Sequence, residues 1–329
     1  METASHLHVV LGATGGVGQA LVEALVAQGE RVRAVNRSGR AAVPASVEIM
    51  AADLTNRESS IAACQGAAVV YHCAGVPYAY AQWAAFFPGM LDNIMAAASL
   101  SGAVLVYMDN CYAYAPTAEP LTEQSLQAPV TRKGKLRKQL ADTLLAAQRR
   151  GQIRATIGRA PDFYGPGVRA SFVGEQFFVP LLAGKRVAWL GKLDVVHALA
   201  FVEDVARALI TLGRHETALG QVWHLPTAQA LTGRQYITLA SEAARVAAKP
   251  LAIPGPVLRM LGLTNTLLRE SVEMLYEWNE PYVIDGSKYT QAFGASVTSH
   301  REAMQRTVAW YRKLGSPKAA NQASEERNA

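Results

Sequence analysis

Val9-Val10-Leu11-Gly12-Ala13-Thr14-Gly15-Gly16-Val17-Gly18 is an apolar run that stops at a glycine-rich turn, and an amphipathic stretch, Gln19 to Gln28, follows at once. Glycines let a backbone approach phosphate oxygens, and a helix N-terminus adds free N–H groups and a partial positive charge. The string therefore reads as a seat for a dinucleotide pyrophosphate, formed by Gly12, Thr14, Gly15, Gly16, Val17 and Gly18. A G-x-x-G-x-x-G spacing alone is weak evidence. The strand before it and the helix after it make it specific.

Outward from this turn, the first half of the chain alternates strand and helix. Strands are expected at Leu7–Leu11, Arg31–Val35, Val47–Met50, Val69–Cys73, Val104–Met108 and Ala155–Gly158, and helices at Val17–Gln28, Glu58–Gln65, Met90–Leu100 and Leu136–Arg149. Apolar strands alternating with amphipathic helices imply an α/β fold, a doubly wound parallel Rossmann sheet with its crevice at the strand C-terminal ends. After Pro161, Gly165, Pro166 and Gly167 the pattern changes. Residues 1–165, with 195–225 returning to them, are read as the dinucleotide-binding domain. Residues 166–194 and 226–315 are read as a smaller, mostly helical substrate lobe. Thr232 with Gln235, and Ser299 with Glu302, fit the capping-box signature of a helix start. The polar stretch 316–329 has the composition of a disordered tail.

Bulk composition excludes several classes. The chain has 329 residues, half of them apolar and 18% charged, as a globular protein does. No apolar window reaches the ~18 residues of a membrane span, and the N-terminus runs into the first strand without signal-peptide regions. Cys64, Cys73 and Cys111 are odd in number and lack metal-ligand spacing, as do the seven histidines. A cytoplasmic protein with reduced thiols and no metal is expected. The net charge of +6 is modest, and its one dense basic run, Arg132 to Lys138, fits a solvated helix face. Neither nucleic acid nor membrane is expected as a partner.

The residues after the second strand bear on the cofactor. An Asp or Glu there would bond the ribose 2′-hydroxyl of NAD. This chain has Asn36-Arg37-Ser38, with Arg40 nearby. No carboxylate repels a 2′-phosphate, and Arg37 offers it a charge-assisted fork beside Ser38. NADP(H) is therefore expected over NAD(H). Asp53 and Leu54, after the third strand, are placed to meet the adenine, although an Asp in such a turn also serves as a helix cap.

These residues resemble the short-chain dehydrogenase/reductase superfamily, in its extended or atypical epimerase/dehydratase-like branch. The resemblance spans nearly the whole chain. It rests on Gly12 to Gly18, Asp53-Leu54, His72-Cys73-Ala74-Gly75, Arg159 to Gly167, Phe201 to Ala206, Asp285-x-Ser287-Lys288 and Phe293-Gly294. It implies that Cys73, Ala74 and Gly75 border the cofactor, that a small molecule is the substrate, and that a homodimer through a four-helix interface could include Leu136–Arg149.

The catalytic centre departs from the family pattern, which carries a Ser or Thr after the fifth strand and a Y-x-x-x-K pair on the next helix. The pair aligns with Thr131-Arg132-Lys133-Gly134-Lys135, so Lys135 is kept as ribose anchor while Thr131 replaces the tyrosine. The Ser position falls on Asn110. A threonine hydroxyl is far too weak an acid to replace a phenol. Three readings follow: an oxidoreductase with a relocated acid, redox-neutral isomerase, dehydratase or cyclase chemistry, and a non-catalytic NADP(H) sensor. Candidates for the relocated acid are Tyr112 and Tyr114, just past the fifth strand, and Tyr164. Tyr78 and Tyr80 follow Gly75, and Asp109 joins them if burial raises its pKa.

The resemblance also places His197 where nucleotide-sugar enzymes of the family have an Arg for the diphosphate. Imidazole is a poor substitute for a bidentate guanidinium, which disfavours a sugar nucleotide. Aromatic residues of the lobe, with Tyr78, Tyr80 and Trp83, favour a small apolar or aromatic substrate. The expected reaction is NADP(H)-dependent oxidation or reduction of a carbonyl or alcohol held near Asn110.

Overall fold

The computed structural model describes residues 6–315, so the tail expected at 316–329 lies outside the described residues. Seven parallel strands form the central sheet: β1 (Leu7–Leu11), β2 (Arg31–Asn36), β3 (Glu48–Ala51), β4 (Val69–His72), β5 (Val104–Asn110), β6 (Arg154–Ala160) and β7 (Val222–His224). Their order is β7-β6-β5-β4-β1-β2-β3. The chain winds outward from β1 to β3, then returns to β4 on the other side of β1. The β1/β4 boundary is thus the switch point at which such sheets open a crevice.

Side chains alternate across the sheet. Val9 and Leu11 of β1 face a core built with α2 (Arg57–Cys64), α3 (Tyr80–Ser101) and α4 (Arg132–Arg149). Val10 faces the opposite core, built with α1 (Gly16–Ala27) and α6 (Val202–Arg214). The doubly wound Rossmann fold expected from the alternating pattern is the fold observed. One boundary differs by a full ten residues. The sequence pattern predicts a helix start at Met90, but α3 begins at Tyr80 and runs through Pro88. Proline costs the helix one backbone bond. Burial of Trp83 and Phe87 beneath the sheet outweighs it.

A third core gathers Phe177 and Phe178 of α5 (Glu175–Leu182), Trp189, Tyr236, Trp278 and Tyr311. Its strands come in pairs. Arg186–Leu190 runs parallel to Lys249–Ile253, and Val196–His197 runs antiparallel to Leu231–Thr232. Thr232 and Gln235 make the reciprocal capping box, and Ser299 caps the helix His300–Leu314 by accepting from the Glu302 N–H. Phe163–Tyr164 pairs with Ala200–Phe201 and ties this core to the exit of β6.

Candidate active site

The glycine turn is shaped by contacts that leave no room for side chains. Gly12 has φ +84°, and a Cβ there would stand 2.5 Å from the Ala74 Cα. A Cβ on Gly18 would run into the Gly12 carbonyl oxygen, and one on Gly16 would come within 2.6 Å of the Val168 side chain. Gly15 differs: its Cβ would meet only the Gly12 oxygen, at an ordinary 3.4 Å. The space beyond it is open, and Thr14 and Gly15 are exposed while Val17 and Gly18 are buried beneath them. Helix α1 starts here with no side-chain cap and no acid in its first turn. Its leading N–H groups and dipole are therefore free for an anion, as a pyrophosphate seat requires.

The rim beside this seat is set by Asn36. Its Oδ1 accepts from the Ser38 N–H (3.0 Å), the Ser38 hydroxyl (2.8 Å) and the Gly39 N–H (2.8 Å). Arg37 and Ser38 are left exposed at the tip. Asp53 is exposed too, but its Oδ1 accepts from the Thr55 N–H and hydroxyl, bonds that hold its carboxyl below the ordinary range. Leu54 is buried, and its carbonyl accepts from Asn93. Across the switch point, Ala74 abuts Gly12, Cys73 is half-buried and Gly75 has open space around it.

A cavity of about 200 Å³ lies at the C-terminal ends of β5 and β6. Tyr78, Trp83, Tyr112, Phe172 and Tyr282 make its aromatic walls, and Asn110 and Asp162 supply polar groups. No Lys or Arg lines it among the described residues. The Asn110 side-chain oxygen accepts from the Tyr112 N–H (3.2 Å), which leaves the amide N–H groups to donate. Trp83 Nε1 is buried with no hydrogen-bond partner among the described residues. The hydroxyls of Tyr78 and Tyr112 lie 3.3 Å apart, and burial pushes both up from the usual phenol range. Leu267 closes one side. Its segment is strapped down by Lys133, whose ammonium donates to the Glu270 (2.7 Å) and Glu273 (2.6 Å) carboxylates and lies over the Tyr78 ring.

Of the residues expected to act on substrate, the structure brings Asn110, Tyr112 and Tyr78 together in this cavity and places Tyr80, Tyr114, Tyr164 and Asp109 elsewhere. Tyr164 is buried in the third core with its hydroxyl 3.0 Å from His300 Nδ1. Tyr114 is turned to His224 Nε2 at 2.6 Å. Tyr80 sits beneath the Arg132 guanidinium, 4.6 Å from its ring centre. Asp109 is no acid at neutral pH. Burial would raise its carboxyl, but Arg137 (2.8 Å) and Arg159 (2.9 Å) more than offset that and hold it low.

The helical pair is also corrected. Thr131 is the N-cap of α4, its hydroxyl accepting from the Gly134 N–H at 3.0 Å. Lys135 projects from the exposed face of α4, opposite the stripe formed by Lys133, Leu136, Arg137 and Leu140. The residue that meets the chain leaving β5 is Gly134, where a Cβ would clash with the Tyr112 carbonyl oxygen. One turn further on lies Lys138, half-exposed and paired with Asp142 at 2.6 Å. On α4 it is thus Gly134, three residues after Thr131, that packs on the chain leaving β5.

Sequence reasoning missed the polar group behind the cavity wall. Asp162 stands 3.1 Å from His197 Nε2, and the His197 ring is stacked between Trp278 and Tyr282. Beside them Glu277 is buried, and burial together with the charge of Asp162 keeps its carboxyl protonated well above the usual range. Only the side chain of His197 was noticed in the sequence, because the strand pairings that join these segments are non-local.

No helix among the described residues is long and apolar enough to cross a membrane, and no group of three or more His, Cys, Asp or Glu among them could hold a metal. No curated protein matches the chain by sequence. The fold is similar to that of MoeE5, solved with UDP-glucose and NAD, at 20% identity and a TM-score of 0.76 over 95% of this chain and 100% of that one. UDP-glucuronic acid 4-epimerase from Bacillus cereus, solved with NAD, is 15% identical with a TM-score of 0.76 over 94% of this chain and 100% of its own. DesIV, the dTDP-glucose 4,6-dehydratase from Streptomyces venezuelae solved with NAD and TYD bound, is 17% identical with a TM-score of 0.74 over 93% and 97%. At such identities the likeness is one of fold. The family model for the NAD dependent epimerase/dehydratase family matches residues 8–225, which take in the central sheet from β1 to β7 apart from Leu7. The chain belongs to the NAD dependent epimerase/dehydratase family.

Proposed function

We propose that this chain is an NADP(H)-dependent oxidoreductase that acts on a carbonyl or alcohol of a small, largely aromatic substrate. The observation that carries the reading is the cavity at the ends of β5 and β6, aromatic-walled and without a lining cation among the described residues. A sugar-nucleotide diphosphate needs cationic forks, which such a wall does not offer. A flat apolar molecule with one oxygen fits it, held by donors from Asn110 and Trp83.

The cofactor would lie with its pyrophosphate over Gly15 and the start of α1. Its adenosine end would reach Arg37 and Ser38, where an exposed guanidinium, with no carboxylate directly after β2, favours a 2′-phosphate. Lys138 is the ammonium of α4 we assign to the ribose in place of Lys135. When bound, the nicotinamide supplies a carbon that gives or takes hydride. The chain's own part is to exclude water with Tyr78, Trp83 and Leu267, to hold the substrate oxygen, and to manage one proton.

A second reading, redox-neutral isomerisation or dehydration, is favoured by the family itself, which is named for epimerases and dehydratases. The two readings are separated by steady-state NADPH oxidation over a panel of aromatic aldehydes and ketones. Turnover of at least one supports the oxidoreductase. Silence across the panel, with NADPH binding intact, favours the redox-neutral reading.

A further inference from the structure

The histidines of this chain show how a buried imidazole is satisfied when neutral. His224 has Nδ1 3.2 Å from the Asp285 carbonyl and Nε2 2.6 Å from the Tyr114 hydroxyl. His300 has Nε2 2.8 Å from the Gln229 carbonyl and Nδ1 3.0 Å from the Tyr164 hydroxyl. In each, one ring nitrogen donates to a carbonyl and the other accepts from a hydroxyl, so one ring proton is enough.

His197 is different. Its Nδ1 lies 3.1 Å from the Glu277 carbonyl, so Nδ1 must carry a hydrogen. Its Nε2 lies 3.1 Å from Asp162 Oδ2. An ionised carboxylate only accepts, and a neutral ring protonated on Nδ1 only accepts at Nε2. Two lone pairs would face each other at this distance unless a further proton lies between them. The plane of the ring is held by its neighbours. It is packed 4.0 Å from the Trp278 centroid and 4.9 Å from that of Tyr282, and its backbone oxygen accepts from the buried Tyr236 hydroxyl. The main chain of Asp162 is held as well, because its carbonyl accepts from the Ala200 N–H at 2.8 Å. Asp162 lines the cavity with Asn110 and Tyr112, and β5 and β6 pair Asn110 with Ala160, two residues before it.

We propose that Asp162 and His197 together hold one transferable proton at the cavity wall, and that Asp162 offers it to the oxygen of a bound carbonyl substrate, in place of the absent tyrosine. The proposal rests on the oxidoreductase reading. In a reduction a bound reduced nicotinamide would supply the hydride to the carbonyl carbon, with the C=O π pair moving to oxygen. That oxygen takes the proton, leaving Asp162 ionised and His197 neutral. Solvent then restores the proton. The titratable groups around the pair include Glu277, Tyr78, Tyr112, Tyr236 and Tyr282, and burial raises each of them from its ordinary value. Asp162 is the catalytic residue of the two, and His197 is a positioning residue that carries charge for it.

The test is nitrogen NMR of the full chain labelled with 15N-histidine at neutral pH, with the His197 signals assigned by their loss in His197→Gln. The expected wild-type ring has a protonated Nδ1 and a second proton between Nε2 and Asp162. Asp162→Asn should remove that second proton and leave a ring protonated on Nδ1 alone. A bare Nδ1 in the wild type, or an Nε2 signal unmoved by Asp162→Asn, overturns the proposal. On a carbonyl substrate that the enzyme reduces, Asp162→Asn should slow single turnover by about 100-fold or more with NADPH affinity unchanged, and an unchanged rate overturns it equally. Absence of any hydride transfer would count against the oxidoreductase reading alone, since the NMR signature needs no substrate.

Discussion

Gly134 packs so closely on the Tyr112 carbonyl oxygen that no β-carbon fits between α4 and the chain leaving β5. In the register proposed for α4 the family's tyrosine position falls on Gly134, where the backbone leaves no room for a side chain. Gly134→Ala should destabilise the fold by about 1–3 kcal/mol despite alanine's better helix propensity, because the added methyl forces two fixed backbones apart. A thermal melt checks this, and a stabilised Gly134→Ala protein would mean that the helix is set differently.

The same rotation of α4 assigns its two lysines opposite roles. Lys138→Ala should weaken NADPH binding by about 10-fold, the loss of one charge-assisted contact. Lys135→Ala, on the exposed face, should leave it unchanged. Fluorescence titration of both variants decides, and the reverse result would restore the register read from sequence.

Gly15 separates folding from binding. Its Cβ would have ordinary van der Waals room within the protein, so Gly15→Ala should keep the wild-type melting temperature. The methyl would occupy the open side of the turn, where the pyrophosphate is proposed to sit, and NADPH affinity should fall by about 100-fold or more. Retained affinity would place the phosphates elsewhere.

Arg37 tests the choice between the two nicotinamide cofactors. Arg37→Ala should weaken NADPH by about 10- to 100-fold, the worth of a charge-assisted fork, and NADH hardly at all. Calorimetric titration with each cofactor measures the ratio. Equal effects on both would remove the 2′-phosphate contact.

Burial lowers His72 from 6.5 to about 3, and the Arg137 charge adds to the effect. The unfolded chain therefore binds a proton below pH 6.5 that the folded chain refuses until about pH 3. The neutral ring's contribution is whole above 6.5 and is lost as pH falls toward the folded value. Replacing it in His72→Leu should shrink the stability lost between about pH 7 and about pH 5 by about 2 kcal/mol. Denaturant midpoints of both proteins at the two pH values give the difference. An identical loss would show that His72 titrates normally in the fold.

What was legible in the sequence was local. The glycine turn, the strands beside it and the loop at Asn36 follow from short spacings, because steric demands at φ > 0 and free helix N–H groups act over a few residues. The helical phase of α4 was not legible. Thr131 and Lys135 have the family spacing, but Thr131 caps the helix, and the turn that follows carries Lys135 to the solvent side. Tyr114 and Tyr164 follow strands as an active-site residue would, yet His224 and His300 claim their hydroxyls from far along the chain. Asp162 and His197 meet only because Phe163–Tyr164 pairs with Ala200–Phe201, a contact with no signature in either segment.

The measurement that reaches the central claim most directly is hydride transfer itself. NADPH deuterated at the transferable C4 position is incubated with the purified protein and a small-molecule extract, and products are searched for deuterium by mass spectrometry. The account predicts deuterium on the carbinol carbon of a small aromatic or apolar alcohol, formed by the wild type and lost in Gly15→Ala. Deuterium found nowhere but in the cofactor, while the protein binds NADPH and converts a compound of the extract to its isomer or dehydration product, would contradict it.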